Sequence, residues 1–303
     1  MSVDFCGLEL AHPIVNASGT FDAIAARRAF GDALLDAFPF SAFVSKTVTL
    51  APRQGNPPPR LWELGAGMVN SIGLPNKGLD GYLAHDLPGL AALPVPLIVN
   101  VMGFTREEVA TLVEAFGARD EVAALELNVS CPNVKTGMLM GADPGEVAGL
   151  LDAVRPQTDK PLIVKLTPNC TSPGEVAAAA EAHGADAVSL INTLRGAPAD
   201  PRDPSRPWLG GGTGGVSGPA VRVLALALLG EVAARVSLPI VGMGGVSRGA
   251  HARALLDAGA TLVAVGTESF RDPLAGARVA AELAREIGIA EFAPKCLQTS
   301  PLP

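Results

Sequence analysis

Short apolar runs alternate along the chain with Ala-rich segments of helical period. Eight such runs, at 14–17, 42–47, 97–102, 125–129, 162–166, 187–191, 240–243 and 262–265, are too apolar to face water on either side. Helix-periodic segments follow near 22–36, 77–87, 105–117, 144–156, 173–183, 219–236, 248–258 and 272–287. Strands that read as continuous hydrophobic runs, each followed by a helix, belong to a parallel sheet covered on both faces. The pattern predicts an α/β fold, a (β/α)8 barrel. A doubly wound open sheet gives the same alternation, and the count of eight favours closure.

Several helices open on suitable first turns. Thr105 precedes Glu107 and Glu108, Ser172 is followed by Pro173 and Glu175, and Ser247 stands before 248–258. Ahead of the first run, residues 3–10 read as a small hairpin with Cys6 and Gly7 at its turn, capping the barrel bottom. Two connections, 49–76 and 194–218, are long and carry no helical period; loops of that length at strand ends read as lids over the active face. No linker divides the 303 residues.

Composition narrows the partners. With 30 acidic against 23 basic residues, the net charge is −7, which disfavours a general nucleic-acid footprint. No apolar run approaches the roughly 18 residues of a membrane span, and no secretory signal follows Met1. Four cysteines without a CxxC pair point to a reduced, cytoplasmic chain with no structural metal site of its own.

Candidate chemistry gathers at the strand ends. GMGGVSRG (242–249), VGTESF (265–270) and GGTGGVSG (211–218) are glycine-rich turns before helices, where backbone N–H groups and the helix dipole favour phosphate. Each alone is an ordinary turn; three at consecutive junctions predict a phosphorylated ligand. Lys46 and Lys165 end apolar strands. They can stabilise an anionic reduced flavin, bind a carboxylate, or form a Schiff base as in aldolases. Asn70, Asn100, Asn128, Asn133 and Asn192 lie at strand ends or in a lid, where amides match the edges of a small polar ring. Cys131, between Ser130 and Pro132, is placed in a polar loop at the mouth and can act as a general base, whereas Cys6 and Cys170 read as small apolar filler. His12, His85, His183 and His251 fall in the hairpin or in helices, which disfavours a Cys–His hydrolase.

Taken together, Asn128-Val-Ser-Cys131-Pro-Asn133, Asn70-Ser-Ile-Gly-Leu74, Ser45-Lys46-Thr47 and GMGG with VGT resemble dihydroorotate dehydrogenases over about residues 3–290. Cys at the base position resembles class 1, since the membrane-associated class 2 enzymes carry Ser there. MGADP (140–144), INTL (191–194) and GTGGVSGPA (212–220) resemble type 1B, which pairs with a second subunit carrying FAD and a [2Fe–2S] cluster and reduces NAD. The resemblance implies one FMN-binding barrel over 1–303 that oxidises dihydroorotate to orotate in pyrimidine biosynthesis, and a heterotetramer built around a catalytic dimer. It implies that Cys131 takes the C5 proton while hydride passes from C6 to flavin N5. Lys46 with Ser71, Ile72, Gly73 and Leu74 would hold the substrate carboxylate, and Asn70, Asn128, Asn133, Asn192 and Thr193 the pyrimidine edges. Ser18, Lys46, Thr47, Asn100, Asn128, Lys165 and Ile191 would line the isoalloxazine and ribityl chain. Gly218, Gly244, Gly245, Gly266 and Thr267 would bind the FMN phosphate.

Three alternatives stay open at this level: a fumarate-linked 1A enzyme, a related FMN barrel acting on another pyrimidine such as uracil, and a Schiff-base aldolase. The tail after Gly288, IAEFAPKCLQTSPLP, departs from the short polar helix usual in the family, because Pro294, Pro301 and Pro303 oppose a helix there.

Overall fold

The fold begins with a hairpin, β1 (Val3–Phe5) and β2 (Leu8–Leu10), whose turn residues Cys6 and Gly7 have φ of 53° and 81°. Positive φ at both central residues gives the two-residue turn that follows strand twist. β3 (Ile14–Asn16) starts the barrel and is followed by α1 (Ala23–Phe30) and α2 (Ala33–Asp36), then β4 (Phe43–Val44). The chain next leaves the barrel to form β5 (Leu61–Leu64) and β6 (Gly67–Asn70). It returns through α3 (Gly78–Gly81), a π-helical turn over Tyr82–Asp86 and α4 (Leu87–Leu90). Three regular units follow: β7 (Leu97–Val101) with α5 (Arg106–Gly117), β8 (Val122–Asn128) with α6 (Pro144–Val154), and β9 (Leu162–Lys165) with α7 (Pro173–Ala182). After β10 (Ala187–Leu190) come four strands outside the barrel, β11 (Leu194–Gly196), β12 (Ala199–Asp200), β13 (Asp203–Pro207) and β14 (Gly214–Ser217). The last elements are α8 (Arg222–Ala233), β15 (Ile240–Met243), α9 (Gly249–Asp257), β16 (Leu262–Val265) and α10 (Ala275–Glu286). This computed structural model describes residues 1–130 and 140–288.

The eight expected strands form one parallel sheet in the order β3-β16-β15-β10-β9-β8-β7-β4. Its two outer strands meet at a seam closed mostly by a side chain. Ser41 N–H donates to Ile14 C=O at 3.0 Å. The Asn16 amide then bridges Val44, accepting from its N–H at 2.8 Å and donating to its carbonyl at 2.7 Å. A buried amide thus supplies the donor and acceptor that a strand ladder would have given. The (β/α)8 barrel is therefore the observed fold.

Helix starts follow local chemistry. Thr105 Oγ1 accepts from Glu108 N–H, Asp143 caps α6 ahead of Pro144, and Ser172 Oγ accepts from Glu175 N–H ahead of Pro173. At α9 the expectation fails. Arg248, not Ser247, occupies the cap, and Glu282 on α10 accepts from Gly249 N–H at 2.7 Å.

Two apolar layers hold the fold. One lies between the strands and the helix ring; the other fills the barrel with Ile98, Ala124, Ile163, Ala187 and Leu262, closed below by Phe5 and Leu10 of the hairpin. The two long connections are not irregular lids, as the sequence suggested. They build one antiparallel sheet, β11-β14-β6-β5, beside the barrel mouth, and β12 with β13 forms a further hairpin. Trp62 and Trp208 pack edge to face at 5.4 Å and tie the two connections together. Among the described residues no helix is long and apolar enough to cross a membrane.

Candidate active site

The carboxyl ends of the barrel strands and the antiparallel sheet enclose a cavity of about 990 Å³. Its lining includes sixteen of the residues expected there: Ser18, Lys46, Thr47, Asn70, Ile72 and Leu74 on the early strands and the first connection, Asn128, Lys165, Ile191, Asn192 and Thr193 on the middle strands, and Gly218, Gly244, Gly245, Gly266 and Thr267 at the far end. Ser71, Gly73 and Asn100 are not part of that lining. Ser71 Oγ donates to Thr213 C=O at 2.8 Å, Gly73 C=O accepts from Arg53 Nε at 3.3 Å, and Asn100 is fully buried. Cys131 and Asn133 lie outside the described residues, as does the proline-bearing tail after Gly288.

At the glycine end, three turns touch. Thr267 Oγ1 donates to Ser217 Oγ at 2.9 Å, and Arg222 Nη1 donates to Gly245 C=O at 3.3 Å. Gly244 and Gly245 have φ of 133° and 69°. A Cβ at Gly244 would come within 2.6 Å of Ala225 Cβ, and one at Gly245 within 2.9 Å of the Gly218 carbonyl oxygen. Only glycine allows the backbone to pass here. His251 fastens the turn from behind: its Nδ1 accepts from Ser247 N–H at 3.3 Å and lies 3.4 Å from Arg222 Nη1. Burial first, then Arg222 and Arg248, pull the His251 pKa below its usual value, in keeping with an acceptor role.

The opposite end is cationic and amide-rich. Lys46 reaches into the cavity with Gly19 beside its ammonium, and burial lowers its pKa against the opposing pull of Asp22. Asn192 Nδ2 donates to Ser130 Oγ at 2.8 Å and to Asn128 Oδ1 at 3.3 Å. Asn70 Nδ2 donates to Gly215 C=O at 3.3 Å. Thr167 and Asn169, which sequence reasoning passed over, extend this wall, with Asn169 Nδ2 donating to Thr193 C=O at 2.9 Å. Beneath lies Glu126, also unassigned from sequence. It bonds to Asn100, Lys165 and Ser189, all buried. Its signal was the charge itself, since an acid in the middle of a buried strand needs partners.

The two thiols read as small apolar filler are only partly buried. Cys6 Sγ donates to Asp186 C=O and Cys170 Sγ to Thr167 C=O. Burial raises both pKa values, that of Cys6 to about 11, which leaves neither as a ready nucleophile. Among the described residues no group of three or more His, Cys, Asp or Glu is arranged to hold a metal ion.

Fold and site define a parallel α/β barrel with one cavity at the carboxyl ends of its strands, glycine-walled at one end and cationic and amide-lined at the other. The chain belongs to the dihydroorotate dehydrogenase family, whose model matches residues 1–287. It is 43% identical over 299 residues to the dihydroorotate dehydrogenase B (NAD+) catalytic subunit of Trichlorobacter lovleyi, covering 96% of each chain. It is 43% identical over 298 residues to the same subunit of Geobacter sulfurreducens, covering 96% of this chain and 95% of that one. A solved structure of the Eimeria tenella enzyme in complex with ferulenol shares the fold, with a TM-score of 0.77 at 23% identity over 97% of this chain and 86% of that one. The type 1B resemblance read from the sequence is thus matched by the relatives' names.

Proposed function

We propose that this chain is the FMN-carrying catalytic subunit of an NAD-linked dihydroorotate dehydrogenase and oxidises (S)-dihydroorotate to orotate. The observation that carries the reading is one cavity with two unlike ends, a glycine-walled cradle and a lysine–amide wall, which fits a phosphorylated flat cofactor beside a small anionic ring. A buried Asn100 Oδ1 with no partner among the described residues adds an acceptor that such a ring can satisfy.

When bound, FMN supplies the two-electron acceptor that the side chains lack. Gly218, Gly244, Gly245, Gly266 and Thr267 hold its phosphate. Ser18, Thr47, Asn100, Lys165 and Ile191 surround its ribityl chain and ring, with Lys165 favouring the electron-rich reduced form. Lys46 and the backbone at 71–74 grip the substrate carboxylate. Asn70, Asn128, Asn133, Asn192 and Thr193 read the pyrimidine edges. Cys131 accepts the C5 proton as general base. The relatives' name, a catalytic subunit, supports a separate partner subunit; the FAD and [2Fe–2S] cluster placed in it rest on the family resemblance alone.

The test is an anaerobic visible spectrum of the FMN-loaded chain before and after dihydroorotate. Bleaching of the flavin band is expected with dihydroorotate and not with dihydrouracil, which has no carboxylate for Lys46. A flavin that stays oxidised with dihydroorotate overturns the substrate assignment. A chain that holds no flavin overturns the cofactor assignment.

A further inference from the structure

Glu126 is 3% exposed and projects from the middle of β8. Three donors meet its carboxylate. Asn100 Nδ2 donates to Oε1 at 2.5 Å, Lys165 Nζ to the same oxygen at 3.4 Å, and Ser189 Oγ to Oε2 at 2.8 Å. These partners stand on three different strands, β7, β9 and β10. Lys165 lines the cavity. Asn100 is fully buried, and its Oδ1 has no hydrogen-bond partner among the described residues.

An ionised carboxylate only accepts hydrogen bonds. Facing it, the Asn100 amide has one satisfied orientation, with NH2 toward Glu126 and the oxygen turned away. We propose that Glu126 is a positioning residue that locks Asn100 as an acceptor for a ring N–H of the flat ligand and aims Lys165 at the same ring. This rests on the FMN reading above and deepens it. Oxidised flavin carries a single ring N–H, at N3, flanked by two carbonyls. An acceptor and an ammonium side by side therefore suit its pyrimidine edge. Were the amide inverted, an NH2 group would meet the N3–H, donor against donor.

Replacing the carboxylate by an amide removes the lock. In Glu126→Gln the new NH2 can face Asn100, so Asn100 can turn either way and still find a partner. The readout is a ratio of affinities, the dissociation constant of N3-methyl-FMN over that of FMN, measured by flavin fluorescence on the whole chain. In the wild type, methylation leaves the buried Asn100 oxygen unpaired, and FMN is preferred by about tenfold to a hundredfold. Glu126→Gln should bring the ratio below about threefold. Ser189→Ala removes a donor while the carboxylate stays, and should keep the wild-type ratio. A general loosening of the site weakens both ligands together and leaves the ratio unmoved.

Should Glu126→Gln alone fail to fold because Lys165 is left without its counter-charge, the Glu126→Gln/Lys165→Met pair removes both charges and carries the same readout. A full FMN preference retained in Glu126→Gln or in the pair overturns the role of Glu126 alone. So does a preference lost equally in Ser189→Ala. A wild type that binds neither flavin overturns the FMN reading, and this inference with it.

Discussion

The lower and upper halves of the barrel interior are made by the same strands and differ in kind. Below, Ile98, Ala124, Ile163 and Ala187 pack into an apolar plug with Phe5 and Leu10 of the hairpin. Two residues further along those strands, where the pleat brings the next side chain inward, stand Asn100, Glu126, Lys165 and Ser189. The four are nearly dry, none more than 5% exposed, and satisfy one another through Glu126. The lower half is a source of stability. The upper half spends stability, because each buried polar group needs a partner. Among the described residues the Asn100 oxygen has no partner, which leaves one open position in that layer. Function at one end is thus supported by ordinary packing at the other, and the two ends should respond differently to substitution.

The largest effect belongs to the proposed general base. Cys131→Ser should slow flavin reduction by dihydroorotate by about 10²- to 10⁴-fold, the usual worth of a positioned general base, with substrate affinity little changed. Anaerobic stopped-flow reduction reads this directly, and an unchanged rate would remove Cys131 from the chemistry. The lower end should show the reverse pattern. Phe5 is fully buried, and Phe5→Ala should cost about 3–5 kcal/mol of stability. Wherever the variant is folded, its flavin reduction rate should match the wild type. A specific rate loss in the folded variant would mean that the plug shapes the site, and the two halves would not be separable.

This contrast explains what could be read in advance. All eight strands and their helices were legible, because burial on both faces leaves nothing polar to blur the runs. The polar strand ends were legible as chemistry for the same reason: an Asn128 or Lys165 closing such a run stands out. Asn16 did not, since its work is to replace backbone hydrogen bonds at the seam with Val44, a long-range pairing with no local pattern. Glu126 was visible only as an interruption, because its meaning depends on three other strands. The sheet β11-β14-β6-β5 was missed because its strands come from connections far apart in sequence and are glycine-rich, as in Gly214 and Gly215. The α9 cap was missed because Glu282, on another helix, does the capping.

A smaller effect comes from protonation at the lower end. His12 is buried beside the plug, where Ile14 N–H donates to its Nδ1 at 3.3 Å. Burial first, and then the chain's amino terminus, hold its pKa down at about 4 against an ordinary 6.5. The unfolded chain therefore binds this proton more readily than the folded one. Stability should be whole above about pH 6.5 and fall as the pH drops toward 4, by about 2 kcal/mol at pH 5 from this group. Urea midpoints at pH 7 and pH 5 should separate more in the wild type than in His12→Gln. Equal separations would take His12 out of the acid response.

The smallest effect returns to the upper end and tests whether the cradle is built for a ligand or only for packing. A methyl group at Gly244 meets Ala225 Cβ at 2.6 Å and Ile191 Cγ1 at 3.4 Å, on a backbone with φ of 133°. Gly244→Ala must therefore shift the turn between β15 and α9, at a cost of about 1–3 kcal/mol. If the turn serves mainly to present N–H groups to a phosphate, most of that cost should appear in binding. FMN affinity should then fall about tenfold, while riboflavin, which lacks the phosphate, should lose little. If the turn is only packing, the melting temperature of the flavin-free chain should fall and the ratio of FMN to riboflavin affinity should stay fixed. That second outcome would place the glycine turns with the plug, as a source of stability, and would leave the phosphate to be held elsewhere along the cavity.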